Sequence, residues 1–158
     1  MSGGGEAIAI RRMEAADVAQ VMAVAAGLDE APRWPEAEYR QAVGRDATPR
    51  RIALVAAWRG PAPILGFAVA RLLPPEAELE SIAVAAEWQG RGLGRRLLEA
   101  LGTELKAGGV DELLLEVRAS NGRARGFYEA LGFAGAGTRR GYYADPVEDA
   151  VLMRRKLL

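Results

Sequence analysis

Glu78-Leu79-Glu80-Ser81-Ile82-Ala83-Val84-Ala85 runs through Ala86-Glu87-Trp88 into Gln89-Gly90-Arg91-Gly92-Leu93-Gly94, and the fold turns on this passage. Its first part, 78–85, reads as a strand. Three alternate glycines then permit backbone angles closed to other residues. From there Leu93, Leu97, Leu98, Leu101 and Leu105 form one apolar helical stripe, and Gly108-Gly109 ends the helix. A strand, a glycine-rich turn and a helix in that order make an anion cradle, because the first helical turn offers unpaired N–H groups and the positive end of the helix dipole. Arg91, Arg95 and Arg96 are disfavoured by that dipole unless an anion offsets them, which suits a polyphosphate. The run has neither the Gly-Lys-Ser/Thr of a triphosphate loop nor the spacing of a dinucleotide fingerprint, so ATP and NAD fit it poorly. Taken alone, such a glycine-rich turn is more often just a tight turn with solvated arginines.

Working outward, Ile8 to Arg12 alternates as a short strand, and Glu14 to Leu28 carries Val18, Val21, Met22 and Ala25 at helical spacing. Pro32 and Pro35 bracket Trp34 ahead of a second short helix, Glu36 to Val43. Arg51 to Trp58 and Ile64 to Leu72 read as an antiparallel hairpin about the turn Arg59-Gly60-Pro61-Ala62-Pro63. Downstream, Val110 to Val117 is a strand with little polar relief, expected to be buried on both faces. Ser120-Asn121 caps a helix bearing Ala124, Phe127, Tyr128 and Leu131, closed by Gly132. Strands Ala134 to Tyr142 and Glu148 to Leu157 follow. The pattern predicts an α/β or α+β domain, a mixed sheet with helices on both faces.

Half of the 158 residues are apolar, enough for one compact core, so a single domain over 8–158 behind a flexible tail at 1–7 is expected. Charges break up every apolar run, and the first residues lack the basic and apolar regions of a secretory signal, so the expectation is a cytoplasmic protein without a membrane span. The 21 basic residues balance 21 acidic ones, which gives no field favouring nucleic acid or an anionic membrane. Cys and His are absent, which removes disulfides, Cys-based covalent intermediates, His-based triads and the usual zinc ligands. Proton transfer near neutral pH then falls to carboxylates, tyrosines, lysines or ordered water.

Gln89-x-x-Gly92-x-Gly94, after a strand ending in Ile82-Ala83-Val84, is similar to the acetyl-CoA motif of the GNAT superfamily of N-acetyltransferases. A second set of residues resembles the branch of that family that acetylates the N-terminal alanine of a ribosomal protein. It comprises Leu115-Glu116-Val117-Arg118-x-Ser120-Asn121, Ala124, Phe127-Tyr128, Leu131-Gly132-Phe133, Arg139-Arg140-x-Tyr142-Tyr143, Glu148-Asp149-Ala150 and Met153. The likeness runs from Glu78 to Met153, about half of the chain, and fades towards the N-terminus, where only the Trp34-Pro35-Glu36 neighbourhood is reminiscent.

The resemblance implies the GNAT fold, with a mixed, mostly antiparallel sheet, acetyl-CoA as co-substrate, no metal, and a protein N-terminus as partner to a monomer or weak dimer. Amides over Gln89, Gly90, Arg91, Gly92, Leu93, Gly94 and Arg95 would hold the pyrophosphate. Ile82, Ala83 and Val84 would pair with the pantetheine arm, and a backbone N–H there would serve as oxyanion hole. Asn121 would contact the same arm besides capping its helix. Glu116 would be the general base that frees the incoming amine of its proton, and Tyr128 the acid that protonates the departing thiolate.

Read from the residues alone, these sites keep plainer alternatives. Glu116 interrupts an apolar strand, where an unpaired charge is costly, so it either pairs with Arg118 or another cation or faces a wet cleft. Tyr128 also suits an ordinary core position. Glu80 is a rival base, placed by simple strand alternation on the face of Ile82 and Val84. Tyr142, Tyr143 and Trp34 offer walls for a peptide N-terminus or simply pack. Glu148-Asp149 attracts a cation or is merely solvated. Gly135, Gly137 and 144–147 can reshape the groove for a small amine, and a non-catalytic acyl-CoA-binding module is a further alternative.

Overall fold

The computed structural model describes residues 7–28, 31, 33–44, 50–59, 63–144 and 146–157. The expected tail apart from Ala7, together with Pro32, the tip of the 59–63 turn and Asp145, lies outside the described residues. The strands are β1 (Ile8–Arg12), β2 (Arg51–Trp58), β3 (Ile64–Leu73), β4 (Glu76–Val84), β5 (Glu112–Arg118), β6 (Ala134–Ala144) and β7 (Val147–Lys156). The helices are α1 (Val18–Ala26), entered through a 3₁₀ turn at Ala15–Asp17, then α2 (Glu36–Val43), α3 (Leu93–Ala107) and α4 (Gly122–Ala130). The strands form one seven-stranded sheet in the order β1-β2-β3-β4-β5-β7-β6, antiparallel except where β4 meets β5.

The leucine stripe explains one face. Leu97, Leu101 and Leu105 of α3 are fully buried, packed with Leu54, Leu65, Leu113 and Leu115 of the sheet, and Leu131, Phe133 and Tyr128 extend that cluster under α4. Each such leucine contributes roughly 1.5–3 kcal/mol by leaving water. On the opposite face Val18, Val21, Tyr39 and Ala42 of α1 and α2 pack on Val55, Phe67 and Val69, with Tyr39 edge-on to Phe67 at 5.9 Å.

That second cluster draws on β2, β3 and β4 but, among the described residues, on nothing from β5, β6 or β7. The helices therefore cover half of this face. The expectation that β5 is buried on both sides is corrected accordingly: Leu113, Leu115 and Val117 are buried, while Glu112, Leu114, Glu116 and Arg118 are half-exposed on the uncovered side. The strand also starts later than its apolar run, because Val110 N–H still bonds the Leu105 carbonyl of α3, and Asp111 N–H bonds Pro75.

Two irregularities shape the middle of the sheet. β4 and β5 pair only over Glu76–Glu78 and Glu112–Leu114, and beyond these residues the two parallel strands separate into a wedge open at their carboxyl ends. In parallel arrangements ligands enter at such ends. In addition, Ala70 lies opposite Leu79 while its neighbour Val69 lies opposite Ser81, so Glu80 is the extra residue of a β-bulge. Ala77 and Leu79 before the bulge, and Ile82 and Val84 after it, pack on the α3 face, whereas Ala83 joins the α1–α2 cluster. Glu80 is thus turned away from Ile82 and Val84, not placed beside them, because the bulge breaks the period of two.

Candidate active site

The glycine-rich turn is held open by its own geometry. Gly90 and Gly92 have φ of 78° and 80°, the left-handed region that costs other residues energy. Gly92 stands at the N-cap of α3, and Arg96 N–H is the first to bond back, to the Gly92 carbonyl. The amides of Leu93, Gly94 and Arg95 are left without intrahelical acceptors. Gly94 serves a different need: a Cβ there would lie 2.6 Å from Cζ of Phe127, so its absence lets α4 approach α3. Gln89 braces the turn, donating from Nε2 to the Val84 carbonyl at 3.0 Å and accepting from Arg123 of α4 at 3.2 Å. Because Ala85 N–H bonds Leu65 of β3, strand alternation turns the Val84 and Ile82 N–H groups away from β3 and towards the wedge.

The arginines divide their labour. Arg91 lies over the Trp88 ring at 4.5 Å, and Arg95 is exposed. Arg96 corrects the sequence reading, since its guanidinium reaches back to the Ile8 carbonyl of β1 at 2.9 Å. Asn121 caps α4 as its type dictates, its Oδ1 accepting the Ala124 N–H at 3.1 Å.

Across the wedge, Glu116 sits on the uncovered face of β5 opposite Leu152 of β7. Its carboxylate is one-fifth exposed and accepts from Arg139 of β6 at 2.7 Å. The partner is therefore Arg139, not the adjacent Arg118, whose guanidinium instead reaches Glu148 at 3.2 Å. Adjacent residues in a strand point apart, yet the rings of Tyr142 and Tyr143 lie 5.1 Å from each other. The cause is a bulge between Arg139 and Tyr143, with Gly141 at φ 60° and its N–H held by Asp149 Oδ1 at 2.8 Å. The Glu116 charge, burial and a hydrogen bond to that carboxylate push the Tyr142 phenol up. Burial and then Glu116 do the same to Tyr143.

Tyr128, on α4, packs edge-on to Phe133 at 5.7 Å, and burial with the nearby Tyr143 pushes its phenol up to about 12. The structure brings Glu116, Tyr142, Tyr143 and Tyr128 into one electrostatic neighbourhood. It does not bring in Glu80 or Trp34. Arg51 grips Glu80 through two bonds of 2.8 and 3.2 Å, pairs with Glu38 of α2 and lies over the Trp34 ring at 5.3 Å. Trp34 in turn packs on Tyr39 at 5.2 Å. Glu148 and Asp149, read as a lure for cations, are engaged by Arg118, the Ser120 N–H and Gly141.

Residues 20–133 match the family model for the acetyltransferase (GNAT) family. The chain is 37% identical to the N-alpha-acetyltransferase RimI of Mycobacterium tuberculosis over 77% of its own length and 75% of that protein. The chain belongs to the GNAT acetyltransferase family. It is also 52% identical over 89 residues to the ribosomal protein bS18-alanine N-acetyltransferase of Salmonella typhimurium, where the match spans 55% of this chain and 60% of the relative. The crystal structure of the ribosomal-protein-S18-alanine N-acetyltransferase from Escherichia coli superposes with a TM-score of 0.79 at 36% identity, covering 95% of this chain and 94% of that one.

Sequence reasoning gave no role to Arg139, Arg123 or Arg51 in this GNAT domain. Arg139 lay inside a quoted motif, but its partner is 23 residues away in sequence and is set by the β5-β7-β6 order. Among the described residues no group of three or more metal-ligating side chains converges, and no helix is long and apolar enough to cross a membrane.

Proposed function

We propose that this chain transfers the acetyl group of acetyl-CoA to the α-amine of a protein N-terminus, by direct attack within a ternary complex. One observation carries the reading: a half-buried carboxylate walled by two tyrosines stands on one side of the β4–β5 wedge, and a turn of unpaired amides stands on the other. The naming of its relatives for bS18-alanine N-acetylation supports the choice of acceptor.

The residues fit acetyl-CoA. The amides of Leu93, Gly94 and Arg95 offer donors to a pyrophosphate, and the Ile82 and Val84 N–H groups face the gap where the pantetheine arm and thioester would lie. The co-substrate supplies an activated acyl carbon and a sulfur leaving group. Glu116 takes the ammonium proton, since an amine attacks only when neutral. A β4 N–H donates to the carbonyl oxygen as negative charge develops there. Tyr128, with its phenol near 12, stays protonated throughout the working range and points a proton at the departing sulfur. A thiol has a pKa of about 8.5, so a hydrogen bond to the thiolate is worth more here than complete transfer. With no cysteine in the chain, no acetyl-cysteine intermediate forms.

The proposal extends to a single domain over 8–158 working in the cytoplasm. The test is incubation with acetyl-CoA and an Ala-starting peptide, followed by mass spectrometry to place the acetyl group. Acetyl on the α-amine is expected. Modification confined to small amines or lysine side chains would reassign the acceptor, and tight CoA binding without turnover on any amine would end the catalytic reading.

A further inference from the structure

The contact between Arg139 and Glu116 poses a problem for a base that must receive an ammonium. The carboxylate already holds a permanent cation at 2.7 Å. Arg139 is over half exposed while Glu116 is one-fifth exposed, so the guanidinium comes from the solvent side, the direction from which a soluble peptide would bring its own cation. Two cations cannot share that oxygen without repulsion.

We propose that Arg139 is a latch that occupies the ammonium subsite of the free enzyme and is displaced by the α-ammonium of the peptide. The inference rests on the acceptor reading above. Three features of the fold allow the latch to open. Arg139 stands on β6, the outer strand of the sheet, exposed along nearly its whole length. The ladder to β7 is interrupted directly after it, between Arg139 and Tyr143, so its backbone is weakly tethered there. Its guanidinium also lies over the Tyr142 ring at 4.3 Å, a cation–π seat that can persist after the carboxylate is given up.

The neighbouring charges do not offer a substitute latch. Arg154 of β7 is engaged by Glu112 at 3.1 Å, Arg118 by Glu148 at 3.2 Å, and Arg71 by Glu78 at 2.8 Å. The cavity of about 140 Å³ beside Glu116 is lined by Glu76, Glu78 and Glu116 with Arg154, over the apolar floor of Leu114 and Leu152. Ala136 lines it on the β6 side. Without Arg139 this recess is predominantly acidic, a better receptor for a cationic N-terminus.

The test compares wild type, Arg139→Gln and Arg139→Lys in steady-state acetylation of an Ala-starting peptide, with direct binding of the same peptide measured by fluorescence polarisation. Arg139→Gln should lower the peptide KM and Kd by about three- to fivefold, the scale of an exposed ion pair, while kcat and the acetyl-CoA KM hold. Arg139→Lys, which keeps the cation, should return both towards wild type. An unchanged or raised peptide KM in Arg139→Gln overturns the latch, as does a fall in kcat alone, which would make Arg139 a support for Glu116. Failure of the acceptor reading is distinguishable: neither form would acetylate an α-amine. In that event, equal binding of the peptide by wild type and Arg139→Gln, or none by either, also overturns the latch.

Discussion

The two sides of the wedge are built on opposite principles. The amide turn is made by one continuous stretch, 82–95, whose shape follows from two left-handed glycines, a helix start and a single brace from Gln89. The Glu116 side is assembled from β5, β6 and β7, and its charges are paired across more than twenty residues of sequence. A local site is set by backbone preference and tolerates changes in its surroundings. A nonlocal one depends on strand order and on the β6 bulge, and each of its side chains is held by a neighbour that can be removed.

Substitutions on either side test whether the two act independently. Glu116→Gln should lower kcat roughly a hundred- to ten-thousandfold, the usual worth of a positioned base, while acetyl-CoA binding measured by calorimetry stays intact. Loss of CoA binding in that variant would show that the two sides are not separable. Gly92→Ala tests the other side. The site is open, so the only penalty is the left-handed backbone, about 1–2 kcal/mol, and acetyl-CoA KM should rise about tenfold with peptide KM unchanged.

Gly141→Ala places the same kind of penalty in the β6 bulge, where φ is 60°. Peptide KM should rise about threefold as Tyr142 loses its seat, with acetyl-CoA KM constant; a shift in the latter would deny the bulge its specific role. The smallest effect is expected far from both sides. Asp17 accepts from Arg11 at 2.7 and 2.9 Å, and that guanidinium holds the carboxyl below its ordinary value of 3.8. A carboxyl with a depressed folded-state pKa stabilises the fold above the unfolded value and loses that contribution as pH falls through the folded one. Asp17→Asn should therefore cost about 1 kcal/mol at neutral pH in urea unfolding, leave both KM values alone, and converge with wild type in strong acid.

Much of the fold was legible. The α2 span, the α3 stripe and the Asn121 cap appear where apolar spacing and capping chemistry put them, because these are local properties of backbone and side chain. The turn was legible for the same reason. What could not be read was every feature set by register. The bulge that turns Glu80 towards Arg51, the choice of Arg139 over Arg118 for Glu116, and the diversion of Arg96 to Ile8 all depend on which strands lie side by side.

Residue type and short-range spacing set the elements, the glycine-rich turn and the restriction of any proton transfer to groups other than Cys and His. Long-range packing, by contrast, covers β5 on one face, parts β4 and β5 into a wedge, and brings Tyr142, Tyr143 and Arg139 around Glu116. A side chain's direction and partners follow from sheet order and a one-residue slip in register, which no local pattern of apolar and polar residues encodes.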